Sequence, residues 1–222
     1  MCGRFTEKSK PEKIAKTLGL MPGLIPPHAP NYNVTPMSGV LAVFKQGSKK
    51  RADFFSWGLV PVWAKDPSIG GHMINARSET VLEKPSFRGP FKNSRCVIVA
   101  DGFYEWRKTG AGAKQPYYIR MKSGDPFGFA GLWSHWLGPE GSEIISCAIL
   151  TTSPNELMKP IHDRMPVILP PDRIDAWLDH DRYESARLVE MLRPYPDGEL
   201  EAYPVSTLVN TPSNNSPLLI EK

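Results

Sequence analysis

Twenty-three of the 222 residues are proline, and no other feature limits the fold as strongly. Proline fixes φ and lacks an N–H, so it ends helix interiors and is excluded from central strands. Prolines spread along the whole chain rule out a helical bundle and require short elements joined by turns and rigid loops. Between them lie runs rich in β-branched and aromatic residues, which predict strands. Residues 39–46 and 51–57 read as a hairpin around the turn "GSKK", and residues 95–100, 117–121, 127–133 and 143–150 as further strands. Residues 10–20 predict a short helix with Pro11 in its first turn and Ile14 and Leu18 on one face. Ser153, Pro154 and Glu156 read as the capped start of a helix that Pro160 ends. Residues 171–179 and 183–193 predict two more helices, the first burying Ile174, Trp177 and Leu178, while residues 22–30 read as loop. With 41% apolar residues there is enough material for a core. The expected fold is α+β, one domain over residues 1–222, with mainly antiparallel sheets closing toward a barrel and helices at the periphery.

No apolar run approaches the 18 residues of a membrane span, and no secretory signal is visible. The cysteines are Cys2, Cys96 and Cys147, widely spaced and without a CxxC pair. That pattern favours neither a disulfide framework nor a metal site, and it fits a reducing, cytoplasmic compartment. A formal charge of +4 permits nucleic-acid binding without requiring it.

Four stretches combine reactive or charged residues with tight local geometry. In "MCGRF", trimming of Met1 would expose the α-amine and thiol of Cys2 together, a 1,2-aminothiol able to trap an aldehyde. In "INARSET", an extended backbone would point Asn75, Arg77 and Glu79 the same way. In "ADGFYEW", Asp101-Gly102 turns the chain after an apolar strand, and Glu105 follows between Tyr104 and Trp106. In "IHDRMP", His162 and Arg164 follow a short turn. Each alone has a plain structural explanation: a frayed terminus, a strand end, a solvent-facing position, a helix cap. Together they supply a nucleophile, a carboxamide, a carboxylate and an imidazole on loops and strand ends, which is an active-site set.

These stretches, with "YNVTP" and "WGLVPVW", occur in the order that marks the SRAP family, whose members sense abasic sites in single-stranded DNA. The likeness runs over residues 2–209. The resemblance implies Cys2 as nucleophile, with Asn75, Glu105 and His162 as the remaining catalytic residues, and no cofactor or metal. It implies DNA contacts from Arg4 and Arg77 and, more weakly, Arg164. Asn33 and Pro36 would lie in the loop bordering the site, with Trp63 and Trp106 near the DNA path. Lys49, Lys50, Arg51, Arg88, Lys92 and Arg95 are further basic candidates. The implied partner is single-stranded DNA carrying abasic sites, bound by a monomer that is nucleoid-associated in a bacterium.

The chemistry follows from the residues. A neutral α-amine adds to the open sugar aldehyde, loss of water gives a Schiff base, and the thiol closes a five-membered thiazolidine. Glu105 is the expected proton shuttle, raised toward neutrality by burial among Tyr104 and Trp106. Three alternatives remain open at this level: a glutamine amidotransferase using an N-terminal cysteine, a cysteine peptidase using Cys2, His162 and Glu105 that removes its own Met1, and a non-covalent single-strand binder.

Overall fold

The short runs pair into two sheets. The computed structural model describes residues 2–110, 112–180 and 184–222. The strands are β1 (Phe5–Glu7), β2 (Asn31–Val34), β3 (Gly39–Gln46), β4 (Lys49–Trp57), β5 (Asn75–Arg77), β6 (Arg95–Ala100), β7 (Gly102–Lys108), β8 (Lys114–Met121), β9 (Phe127–Leu137), β10 (Glu143–Thr152), β11 (Met165–Pro166), β12 (Ile168–Leu169) and β13 (Leu200–Pro204). The α-helices are α1 (Pro11–Thr17), α2 (Pro85–Asn93), α3 (Ile174–Leu178) and α4 (Ser185–Glu190).

The smaller sheet is antiparallel in the order β13-β8-β7-β1-β2. The larger runs β11-β10-β4-β3-β6-β9-β12 and closes into a barrel, because β9 also pairs with β10, Cys147 opposite Trp133. The closure is not wholly antiparallel: β10 runs parallel to β4, and β5 lies parallel on β10 with Ile149 opposite Asn75. The α+β, mainly antiparallel expectation holds.

The two-residue side-chain period sorts the central strands between two cores. Val40, Ala42 and Phe44 of β3 join Phe5, Val34 and Phe103 between the barrel and the smaller sheet. Leu41 and Val43 join Ile14, Trp177 and Leu188 beneath the helices. β6 divides likewise, Ile98 to the first cluster and Val97 and Val99 to the second. The far face of the smaller sheet is covered by the segment after β13, through Tyr104, Tyr118, Tyr203, Val209 and Leu219.

The chain changes sheet between β6 and β7 at Asp101. The buried Asp101 carboxylate accepts the Lys8 N–H at 2.6 Å, the Ser9 N–H at 3.0 Å and the Ser9 hydroxyl, fixing the exit of β1. Gly102 is required there, since a Cβ would fall on the Tyr118 ring and hydroxyl.

Several expected elements differ. The first helix stops at Thr17 because Gly19 takes a φ of 62°. The helix expected after Ser153 is a set of turns, capped by the Asn155 carboxamide accepting the Met158 N–H at 3.0 Å. The helix expected over 171–179 is a 3₁₀ turn leading into α3. The one expected over 183–193 is α4, and Tyr183 lies outside the described residues. Arg95 is fully buried, so it is not a surface cation. Its guanidinium donates to the carbonyls of Phe91, Lys92, Trp177 and Asp179, capping the C-terminal ends of α2 and α3.

Candidate active site

Backbone pairing delivers Cys2 to Glu105. β1 lies against β7 with Phe5 opposite Phe103, and the Tyr104 N–H donates to the Arg4 carbonyl at 3.0 Å. Cys2, just before β1, is fully buried, with its thiol 3.8 Å from the Arg4 carbonyl oxygen. Asn75 arrives from the barrel side. The fully buried Trp57 donates its indole N–H to the Ile74 carbonyl at 2.9 Å, and β10 holds the next three residues as β5. The Asn75 amide then donates to the Cys2 carbonyl at 2.8 Å. Its Oδ1 is buried without a hydrogen-bond partner among the described residues. His162 comes from the turns after Asn155, its N–H donating to the Met158 carbonyl at 2.9 Å, and its Nε2 lies 3.9 Å from Glu105 Oε2. The structure thus gathers Cys2, Asn75, Glu105 and His162 at one edge of the seam between the two sheets.

Burial governs the electrostatics. Glu105 is 2% exposed. Along β7 it points with Phe103, away from Tyr104 and Trp106, so its burial is not the work of those two rings. That burial pushes its carboxyl up to about 7. The Cys2 thiol is pushed well above its ordinary value by burial and by the charge of Glu105. Burial holds His162 below its ordinary value. The Arg164 N–H donates to His162 Nδ1 at 3.0 Å, which places the ring proton on Nε2, facing Glu105. Asp163 also reaches Nδ1 at 2.9 Å, but its side chain is 89% exposed, and the backbone donor is the fixed partner of the two.

A family model described as SOS response associated peptidase, SRAP, matches residues 1–212. The chain belongs to the SRAP family. It is 47% identical to the abasic site processing protein YoqW of Bacillus subtilis, over 100% of this chain and 99% of that one. It is 34% identical to the chicken abasic site processing protein HMCES over 86% of this chain, a match spanning 65% of that longer protein. A Bacteroides thetaiotaomicron crystal structure superposes with a TM-score of 0.88 at 28% identity, covering 100% of this chain and 99% of the other.

Around this candidate site the candidate DNA contacts divide. Arg77 is exposed, two residues beyond Asn75 on the same face of β5. Trp63 is 56% exposed. Pro36 is half-buried at the turn where Met37 takes a φ of 66°. Trp106 is half-buried and donates its indole N–H to the Asn210 side chain at 2.8 Å. Three more candidates are engaged within the protein. Arg4 donates to Asn33 Oδ1 at 2.7 Å and to the Val209 carbonyl at 2.8 Å. Asn33 is buried, and its amide donates to the carbonyls of Thr211 at 3.1 Å and Asn214 at 2.9 Å, so it holds Arg4 rather than reaching outward. Arg164 grips Glu79 through two bonds of 2.6 and 2.9 Å and donates to the Thr151 carbonyl at 2.6 Å.

The pairing of Glu79 with Arg164, and the segment carrying Val209, Asn210 and Asn214, are the supports that the motif reading missed. β5 ends at Arg77, and Glu79 sits on a 3₁₀ turn, so the extended alternation through Glu79 does not occur. The run "VNTPSNN", dense in carboxamides, is the signal that marks the second group.

Proposed function

We propose that this protein processes abasic sites in single-stranded DNA by covalent capture on Cys2 once Met1 has been removed. Met1 itself lies outside the described residues. One observation carries the reading: the carboxyl of Glu105, pushed up to about 7, stands beside Cys2, whose carbonyl Asn75 holds at 2.8 Å. The curated relatives named abasic site processing proteins support it.

The electrostatics order the steps. A thiol this deeply buried resists ionisation, so the freed α-amine attacks the sugar aldehyde first. The carbinolamine loses water with a proton from Glu105, leaving an iminium. The thiol then adds to that carbon, its proton returning to Glu105, which leaves a neutral thiazolidine. The sum is aldehyde plus aminothiol giving ring plus water. A carboxyl titrating near 7 can donate and accept at physiological pH. The Asn75 Oδ1 would accept a hydrogen bond from the opened sugar, and His162 Nε2–H would polarise the sugar oxygen. Arg77 and Arg4 would hold flanking phosphates, with Trp63 and Trp106 offering faces to bases.

The peptidase alternative needs an ionised Cys2 thiol beside a basic imidazole. Here the thiol is raised and the imidazole lowered, which weighs against it.

The test is denaturing electrophoresis of untagged protein with a uracil-excised oligonucleotide. The expected result is a shifted band absent in Cys2→Ala, with mass spectrometry locating the bond at residue 2. No shifted band with mature wild type, or an equal band with Cys2→Ala, refutes the proposal. Ammonia release from glutamine would favour the amidotransferase alternative.

A further inference from the structure

Beyond Glu105, β7 continues out of the site into a hairpin whose cations have no protein counter-charge among the described residues. Arg107, Lys108 and Lys114 are all exposed. None makes an ion pair among the described residues; the Arg107 guanidinium only donates to the Tyr117 hydroxyl at 3.4 Å. Lys108 and Lys114 stand directly opposite each other across β7 and β8. Like charges in that position destabilise a hairpin. The hairpin end is nevertheless built, with the Thr109 N–H donating to the Ala113 carbonyl at 2.9 Å and the Thr109 hydroxyl to the same oxygen at 2.8 Å.

Geometry ties this cluster to the site. Arg107 is two residues past Glu105 on the same face of β7, about 7 Å along the strand. Lys108 and Lys114 occupy the opposite face, with Trp106. His162, lowered chiefly by burial, also feels the positive charge of Lys114. An anion lying along the arm would relieve that repulsion.

We infer that the β7–β8 hairpin is a phosphate-gripping arm, in which Arg107, Lys108 and Lys114 hold the backbone of a single strand on one side of the nucleotide in the site. The inference rests on the single-strand reading above and adds to it three contacts and an asymmetry. Phosphate contacts of this kind fix register without reading sequence.

The experiment compares wild type with K108Q/K114Q and K108R/K114R, by fluorescence anisotropy on unmodified single-stranded oligonucleotides across a salt series. The crosslinking gel is run in parallel. The Gln variant should lose about 0.7 from the magnitude of the log–log salt slope for each phosphate contact removed, and the Arg variant should keep the wild-type slope. In the crosslinking gel, trimming the abasic oligonucleotide on one side of the lesion should abolish the difference between wild type and the Gln variant; trimming the other side should preserve it. Thermal unfolding of the Gln variant should be unchanged or raised, because repulsion is removed, whereas a structural role for the lysines predicts a fall. An unchanged salt slope in K108Q/K114Q overturns the inference, and is the result expected if the arm instead meets an acidic protein. If wild type binds single strands but yields no abasic crosslink, the proposed function fails while the salt slopes still decide the arm.

Discussion

Replacing Glu105 with glutamine should change how stability depends on pH. Glu105 is 2% exposed, and burial lifts its carboxyl from an ordinary 4.5 to about 7. At about 1.4 kcal/mol for each tenfold change in proton affinity, that lift corresponds to about 3 kcal/mol. The folded state binds this proton more tightly than the unfolded chain, so it carries more protons between pH 4.5 and 7. Stability from this group is therefore complete below pH 4.5 and declines as pH rises through 7. A glutamine side chain has no such titration. The stability of Glu105→Gln relative to wild type should rise by about 3 kcal/mol from about pH 4.5 to about pH 8. For a chain of this size that is roughly 6–12 °C in Tm. Glu7, also buried and pushed up to about 7, is common to both proteins and cancels in the comparison. Urea unfolding followed by tryptophan fluorescence at the two pH values gives the number. A Glu105→Gln difference independent of pH would refute the argument that burial, rather than a compensating charge, sets this carboxyl.

The same variant should slow crosslinking by about 10²-fold or more, measured in single turnover, because the proposed proton shuttle is gone. Arg95→Leu strands four carbonyls at two helix ends and should cost about 3 kcal/mol or more in chemical denaturation; a loss under about 1 kcal/mol contradicts the capping role. Asn33→Ala should cost about 1–3 kcal/mol and weaken single-strand binding by freeing Arg4, and unchanged binding in anisotropy would show that Arg4 needs no such support. Gly102→Ala should destabilise the fold by driving a methyl into Tyr118, and a Tm equal to wild type would count against that close approach.

The strands were legible where β-branched and aromatic residues run together, as in β3, β6 and β10, because both faces of those strands are buried. β5 and β11 were not, since three-residue and two-residue strands exist only through pairing to β10 and carry no periodicity. Asn155 displaced Ser153 as the cap because either side chain can accept, and only the tertiary path decides which is used. Cys2, Asn75, Glu105 and His162 were nominated by motif and chemistry, and their proximity needed the fold. The internal engagement of Arg164 and Asn33 was invisible, because an exposed and a buried hydrogen-bonding side chain look alike in sequence.

Arg4 closes on the Val209 carbonyl across 205 positions of sequence, and Asn33 reaches still further along to Asn214. During synthesis at about 5–20 residues per second, Cys2 would wait on the order of 10–40 s for the residues that seat its neighbour. On the proposed reading, an aldehyde-reactive terminus would thereby be separated in time from its completed cradle, and a nascent chain would meet cellular carbonyls before it could grip a nucleic acid.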